Sequence, residues 1–275
     1  MVVSKVDVDG FWEKGYTIVR GVYSPAEIDR LREGARASRS TSQDLLSNPL
    51  MRQVITDGNL VEIARRILGR DDILYYGDSS FTIIPGTPGY HKDNADRHDA
   101  KAPDWQGGRY TQLRFGIYCQ DHTRHSGGLN LREKSHDTVS LKDGKTVYLR
   151  TRVGDVGVWS LRTSHSGGGT LLRFPPWKNP EPGTASQYRK MLVAPAHAER
   201  VSVFLALGAD DQHAARYVDY LKTRTYMVRA WRNSHYDEEA LAQAAASGLR
   251  VRDLPREIEG DDSVGQNEKW VAIPY

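Results

Sequence analysis

The chain has a single cysteine, Cys119, so it can form no internal disulfide, and a reducing compartment is permitted. It has no apolar stretch of spanning length, so no transmembrane helix is expected. The first ten residues carry Asp and Lys and no apolar h-region. No signal peptide is therefore expected, and a cytoplasmic location is the default. There is little net charge, +3 over 275 residues, with 39% hydrophobic and 27% charged residues. That balance excludes a disordered chain and offers no case for a clustered basic face that would bind nucleic acid. No internal repeat or low-complexity run is present. A soluble protein with a small-molecule partner, bound to neither membrane nor nucleic acid, is the expectation.

Residues 8–70 read as helical support. Tyr16-Thr17-Ile18-Val19 is a short β-favouring run. Ser24-Pro25-Ala26-Glu27 starts a helix with a cap, a proline at the first helical position and a capping-box glutamate. Leu60, Ile63 and Ile67 share a helical face that Gly69 terminates. From residue 72 to about 206 the pattern turns β-rich. The runs are Ile73–Tyr76, Phe81–Ile84, Leu113–Cys119, Thr146–Leu149, Val156–Trp159 and Val201–Ala206, parted by Gly, Pro and Asp turns. Such a series predicts a mainly β jelly roll (double-stranded β-helix, cupin-like) with flanking helices, forming one domain over residues 1–275. A helix over Asp211–Lys222 and a polar tail complete residues 207–275. The Pro-rich segment 167–199 is too long for a hairpin loop and is expected to be a functional loop.

His91-Lys92-Asp93 carries the chemistry. In extended backbone, residues i and i+2 point to one side, so His91 and Asp93 can grip one ion while Lys92 points away. A second histidine from a distant strand would complete the two-His, one-carboxylate set that binds non-haem Fe(II) and leaves positions open. His165, after the run Val156–Leu161, is the expected third ligand. His122, His125 and His136 compete with it. The first two lie in a polar turn that suits the surface, and His136 suits packing of its turn or contact with substrate. Asp96, His98 and Asp99 read as substrate-loop or surface residues.

Four pieces in order now resemble the phytanoyl-CoA dioxygenase family of Fe(II)- and 2-oxoglutarate-dependent oxygenases, over about residues 8–206. They are Phe11-Trp12-Glu13-Lys14-Gly15-Tyr16 with Gly21-Val22-Tyr23-Ser24; His91-Lys92-Asp93; Ser126-Gly127-Gly128-Leu129 through Lys134-Ser135-His136, similar to a G-x-L-x-x-x-x-G-S-H stretch; and Gly154-Asp155 leading to His165-Ser166-Gly167-Gly168. Lys134 departs from the glycine of that stretch, and the segment after His165 is longer than usual. The resemblance implies Fe(II), 2-oxoglutarate and O2 as the reacting set. Related halogenases lack the carboxylate that Asp93 supplies, so hydroxylation, desaturation or cyclisation is implied over halogenation.

The distal carboxylate of 2-oxoglutarate needs a fixed cation, and arginine offers a bidentate fork. Arg200 and Ser202 share one side of a strand start, like the R-x-S element of many 2-oxoglutarate oxygenases; Arg173 is the rival. Gln112, Arg114 and Tyr118 alternate along one strand. They either reach the co-substrate or face solvent, with Leu113, Phe115 and Ile117 in the core. Lys92, His98 and Trp177 are candidate substrate contacts, Trp177 as a lid. The cations of residues 92–109 suggest a polar or anionic substrate such as a sugar, a phosphate-bearing metabolite or a natural-product intermediate. The alternatives are a cupin-type metal enzyme without 2-oxoglutarate and a non-catalytic ligand-binding jelly roll.

Overall fold

The structure, a computed structural model, describes residues 6–84 and 86–275. In chain order the first elements are α1 (Val8–Lys14), β1 (Tyr16–Val19), α2 (Pro25–Ala37), α3 (Gln53–Thr56), α4 (Asn59–Leu68), β2 (Ile73–Tyr75) and β3 (Ser79–Thr82). Next come β4 (Gln112–Tyr118), β5 (Gly128–Glu133), β6 (Lys145–Tyr148), β7 (Val156–Ser160), β8 (His165–Gly169) and β9 (Ser202–Ala209). The chain ends with α5 (Gln212–Lys222), α6 (Thr225–Arg232), α7 (Glu238–Ala246), β10 (Arg250–Val251) and α8 (Leu254–Glu257). The fold is mainly β with flanking helices, as expected. No helix among the described residues is long and apolar enough to cross a membrane.

The chain forms two compact units. Among the described residues, the first comprises 6–33, 81–84, 86–93 and 116–203. Here β1 runs antiparallel to β7, with Val19 opposite Val156 and Tyr16 opposite Trp159. Every residue of β7 is buried. Strand β5 lies between β6 and β8, and Leu131 opposes both Val147 and His165. The long segment after β8 lies along the edge strand β6. Asn179 accepts from the Tyr148 amide at 3.3 Å, and Glu181 pairs with Arg132 at 2.8 Å. Leu171 and Ala194 of the segment form a small buried apolar cluster with Tyr148 of β6. The segment thus covers a sheet edge whose open backbone groups would otherwise invite pairing.

Several sequence signals find their physical cause in this unit. The capping box forms as expected: the Glu27 carboxylate accepts from the Ser24 amide at 2.7 Å, and the Glu27 amide donates to Ser24 Oγ at 3.3 Å. Gly154 has φ +89, and a Cβ there would lie 2.1 Å from the Tyr23 carbonyl. The next residue, Asp155, accepts from the Gly21 amide at 2.9 Å, so Gly154-Asp155 ties the start of β7 to the turn before α2. Lys134, where the resemblance expects glycine, has φ 65. Glycine adopts that left-handed backbone without the Cβ clash a lysine incurs.

The second unit comprises residues 34–80, 94–115 and 204–275. β2 pairs antiparallel with β9 and parallel with β10. α4 buries Leu60, Ile63 and Ile67 and ends on Gly69 in the left-handed conformation, as its pattern predicts. Asp211 caps α5 by accepting from the amides of His213 and Ala214.

Candidate metal centre and anion anchor

Asp93 and the two histidines are brought together in the first unit. The backbone of His91 makes a two-way bridge with His165, N–H to O at 3.0 Å one way and 2.9 Å the other. The Asp93 amide donates to the Leu161 carbonyl at 2.9 Å. These bonds fix two distant stretches of chain side by side. His91 Nε2 lies 3.8 Å from Asp93 Oδ1, and His165 Nε2 lies 3.5 Å from Asp93 Oδ2. One ligand atom from each of the three residues lies within 4.8 Å of the others. Ligands about 2.1 Å from one ion sit about 3 Å apart at right angles, so an inward shift would bring the three to the spacing that one ion requires.

The imidazoles are prepared for that role. His91 Nδ1 lies 3.1 Å from the Gly89 carbonyl, and His165 Nδ1 lies 3.0 Å from the Thr163 carbonyl. A carbonyl can only accept, so each Nδ1 carries the proton and each Nε2 presents its lone pair. Two such nitrogens and one carboxylate oxygen form the donor set suited to Fe(II). The residues present therefore fit this ion. Gly168, just past the candidate ligand His165, has φ +63, and a Cβ there would meet the Gly86 carbonyl at 2.3 Å. Close approach of two backbones beside the site requires glycine at that position.

Lys92 is fully buried, and its Nζ donates to the carbonyls of Ser135 at 2.6 Å and Arg162 at 2.7 Å. Burial pushes its pKa down to about 7, and the Arg162 charge adds to the effect. An amine with that pKa can donate to both carbonyls with or without its extra proton. Lys92 therefore joins the ligand segment to the turn ahead of His165 instead of reaching for substrate. This is a correction of its expected substrate role.

Arg200 lies in the same unit with 6% of its surface exposed. Its Nε donates to the Gly127 carbonyl at 2.7 Å, and Nη1 donates to Thr82 Oγ1 and the Ile84 carbonyl, both at 3.3 Å. The guanidinium stands over the Tyr118 ring, 5.4 Å from its centroid. Burial pushes the Tyr118 phenol up to about 12, against the pull of Arg200. No carboxylate among the described residues pairs with Arg200. Ser202 is buried, and its Oγ has no hydrogen-bond partner among them. Arg173, the rival, is exposed.

The remaining candidates have other partners. Gln112 and Arg114 belong to the second unit. Gln112 Nε2 donates to the Ala209 carbonyl at 3.2 Å, and Arg114 pairs with Asp78 at 2.9 Å and donates to the Tyr217 hydroxyl at 3.1 Å. Neither faces solvent, so that alternative is corrected. His98 is exposed in the second unit, edge-on to Trp270 at 4.6 Å. Trp177 is 73% exposed, and its ring neighbour is Phe174 at 6.1 Å. His136 packs its turn, its Nε2 lying 3.0 Å from the Trp12 carbonyl. His122, expected at the surface, is 1% exposed, and burial pushes its pKa down to about 4, with Arg200 adding to the shift. Sequence reasoning missed it because the surrounding turn, Gln120 to Ser126, is polar throughout.

No protein-family model matches the chain, and no curated protein matches it in sequence. Solved structures do match in fold. SnoK, a non-haem alpha-ketoglutarate-dependent carbocyclase from nogalamycin biosynthesis, is 15% identical over 78% of this chain and 92% of that one, with TM-score 0.52. HygX from Streptomyces hygroscopicus, with nickel and 2-oxoglutarate bound, is 13% identical over 73% and 84%, with TM-score 0.52. EctD from S. alaskensis, with 2-oxoglutarate and 5-hydroxyectoine, is 18% identical over 74% and 74%, with TM-score 0.50. At these identities the likeness is one of fold. It assigns the chain to the jelly-roll class with flanking helices and without a closed barrel.

Proposed function

We propose that the protein is a mononuclear non-haem Fe(II)- and 2-oxoglutarate-dependent oxygenase of the phytanoyl-CoA dioxygenase kind, acting on a polar small molecule. The convergence of His91, Asp93 and His165, with both Nε2 lone pairs presented, carries this reading. The fold it shares with SnoK, HygX and EctD supports it. Bound Fe(II) would supply the redox chemistry, oxidising a substrate C–H bond with O2 while 2-oxoglutarate loses CO2 and leaves as succinate.

The chain's own residues do the rest. His91, Asp93 and His165 hold the ion and leave coordination positions for ligands. Arg200, buried and without a carboxylate partner, holds the distal carboxylate of 2-oxoglutarate, and the Ser202 hydroxyl offers it a further donor. An unpaired buried guanidinium is costly in a protein that binds no anion, which weighs against a cupin-type enzyme without 2-oxoglutarate. The substrate class is a sugar, a phosphate-bearing metabolite or a natural-product intermediate. SnoK, named for nogalamycin biosynthesis, and EctD, holding 5-hydroxyectoine, support small-molecule chemistry. The cations of residues 92–109 now support it less. Lys92 is committed to carbonyls, and Arg97 donates to the Asn94 carbonyl at 3.0 Å.

The test is succinate release from 2-oxoglutarate with Fe(II) and O2 across a panel of such substrates, beside a His91→Ala control. Wild type is expected to release succinate with at least one substrate and the variant to fall to the blank. Equal release by both, above the blank, would sink the assignment.

A further inference from the structure

Behind Arg200 lies a chain of side chains in which each hydrogen has one place to be. The Val201 amide donates to Gln120 Oε1 at 2.9 Å, which fixes the orientation of that side-chain amide. Gln120 Nε2 then faces His122 Nε2 at 3.0 Å. An amide nitrogen can only donate, so His122 Nε2 must accept, and the proton of the neutral ring sits on Nδ1. Nδ1 lies 3.3 Å from the Tyr148 hydroxyl. That hydroxyl accepts from the Gly128 amide at 2.9 Å and donates to the His125 carbonyl at 2.6 Å.

The two ends of this chain bracket one contact. Arg200 Nε donates to the Gly127 carbonyl at 2.7 Å. Gln120 pins Val201, the residue after Arg200, and Tyr148 pins Gly128, the residue after Gly127. We propose that the Gln120–His122–Tyr148 chain positions Arg200, and so sets how tightly the protein holds the distal carboxylate of a 2-oxo diacid. The proposal rests on Arg200 being the anion anchor of the proposed function. His122, Gln120 and Tyr148 are positioning residues, since they act on Arg200 through the backbone on either side of its contact with Gly127. The neutral ring that the chain demands agrees with the depressed pKa of His122. The Tyr118 ring centroid lies 5.2 Å from that of the neutral His122 ring and 5.4 Å from the Arg200 guanidinium carbon. A misplaced guanidinium has little room to recover its aim, because buried side chains are close-packed.

A polar chain that served stability alone would affect every ligand equally. The distinguishing ligand is pyruvate, a 2-oxo acid with no distal carboxylate. The full chain is loaded with redox-inert Ni(II), and 2-oxoglutarate and pyruvate are titrated calorimetrically into wild type, Tyr148→Phe and Arg200→Ala. Tyr148→Phe keeps the ring against Leu171 and Ala194 and removes only the hydroxyl. It is expected to raise the Kd for 2-oxoglutarate about tenfold, the scale of one lost hydrogen bond, with pyruvate and nickel affinities within about twofold of wild type. Arg200→Ala is expected to weaken 2-oxoglutarate further and again to spare pyruvate. If Arg200→Ala leaves 2-oxoglutarate binding unchanged, the anchor reading fails and the positioning role falls with it. If Arg200→Ala weakens 2-oxoglutarate but Tyr148→Phe does not, the positioning role alone is overturned. Equal losses for 2-oxoglutarate, pyruvate and nickel in Tyr148→Phe would also overturn it, as a general structural defect. Should that variant fail to fold, Gln120→Leu replaces it. It removes both the acceptor of the Val201 amide and the donor to His122, and the same selective loss of 2-oxoglutarate affinity is expected.

Discussion

The two units differ in the partners of their most buried cations, although the part-buried Arg132 of the first also meets a carboxylate, Glu181, at 2.8 Å. In the second, Arg114 meets Asp78 at 2.9 Å, Arg216 grips both oxygens of Asp96 at 2.6 and 2.7 Å, and Arg52 grips Asp237 at 2.7 and 2.9 Å. In the first, Lys92 donates to the carbonyls of Ser135 and Arg162. Arg162 donates to the His136 carbonyl at 2.6 Å and meets the exposed Asp137 only at 3.4 Å. Arg200 donates to Gly127, Ile84 and Thr82. A guanidinium on a carboxylate is neutralised; one on carbonyls keeps its charge where the dielectric is low. The unit that brings His91, Asp93 and His165 together is therefore also the one whose buried Arg200 rests on carbonyls and a hydroxyl instead of a carboxylate. An ion pair is finished structure, whereas a cation resting on dipoles is open to a ligand.

Truncating one arginine from each unit is the strongest way to break this contrast. Arg114→Ala leaves the Asp78 carboxylate buried without its cation, and urea unfolding should show a loss of about 3–5 kcal/mol. Its 2-oxoglutarate affinity, measured on the folded fraction, should be unchanged. Arg200→Ala should cost about 2–3 kcal/mol of 2-oxoglutarate binding, roughly 30- to 150-fold in Kd, and much less stability. The reverse assignment of losses would overturn the comparison.

Acid sharpens it next. His122 in the first unit has its pKa pushed down to about 4 by burial, from an ordinary 6.5. Its contribution to stability is fully present above pH 6.5 and is lost as pH falls toward 4, on the order of 3 kcal/mol in all. Asp44 in the second unit is raised to about 6 by burial, against hydrogen bonds from Tyr75, Leu46 and Ser79. Its contribution has the other sign, present below pH 3.8 and lost as pH rises through 6. Unfolding at about pH 4.5 and about pH 7.5 separates the two. The advantage of wild type over His122→Asn should be larger at the higher pH, and its advantage over Asp44→Asn larger at the lower.

Smaller effects follow. Lys92→Met releases the Ser135 and Arg162 carbonyls while leaving all three candidate ligands in place. Nickel titration should show affinity lower by about tenfold, the scale seen when supporting partners of metal ligands are removed. An unchanged nickel affinity would restrict Lys92 to packing. Trp177→Ala removes an exposed ring, and its unfolding free energy should stay within about 0.5 kcal/mol of wild type.

Some of this was legible in the chain itself. The capping box at Ser24–Glu27, the α4 face and its Gly69 stop were readable because helix ends depend on neighbours a few residues away. The pair His91 and Asp93 was readable for the same reason. Strand β8 was not, since His165-Ser166-Gly167-Gly168-Gly169 has no β-favouring side chains and becomes a strand only by pairing with β5. β5 carries alternating Leu129 and Leu131, a signal that the Gly and polar residues around it masked. Helices α6 and α7 lay outside the expectations altogether, although Asp237 caps α7 from the sequence side. His122 was misplaced because hydrophobicity reports burial only on average, and a polar side chain can be buried when its groups find partners, as both ring nitrogens of His122 do.

Residue chemistry alone determined the donor types, two imidazoles and a carboxylate, and set His91 and Asp93 on one side of extended backbone. Only the tertiary structure decided that His165 meets them and that Arg200 is buried without an acid. The side on which a residue falls within one strand follows from backbone geometry. Which strands pair, and in what register, follows from contacts between residues far apart in the chain, and a slip of one residue would turn His165 to the opposite face.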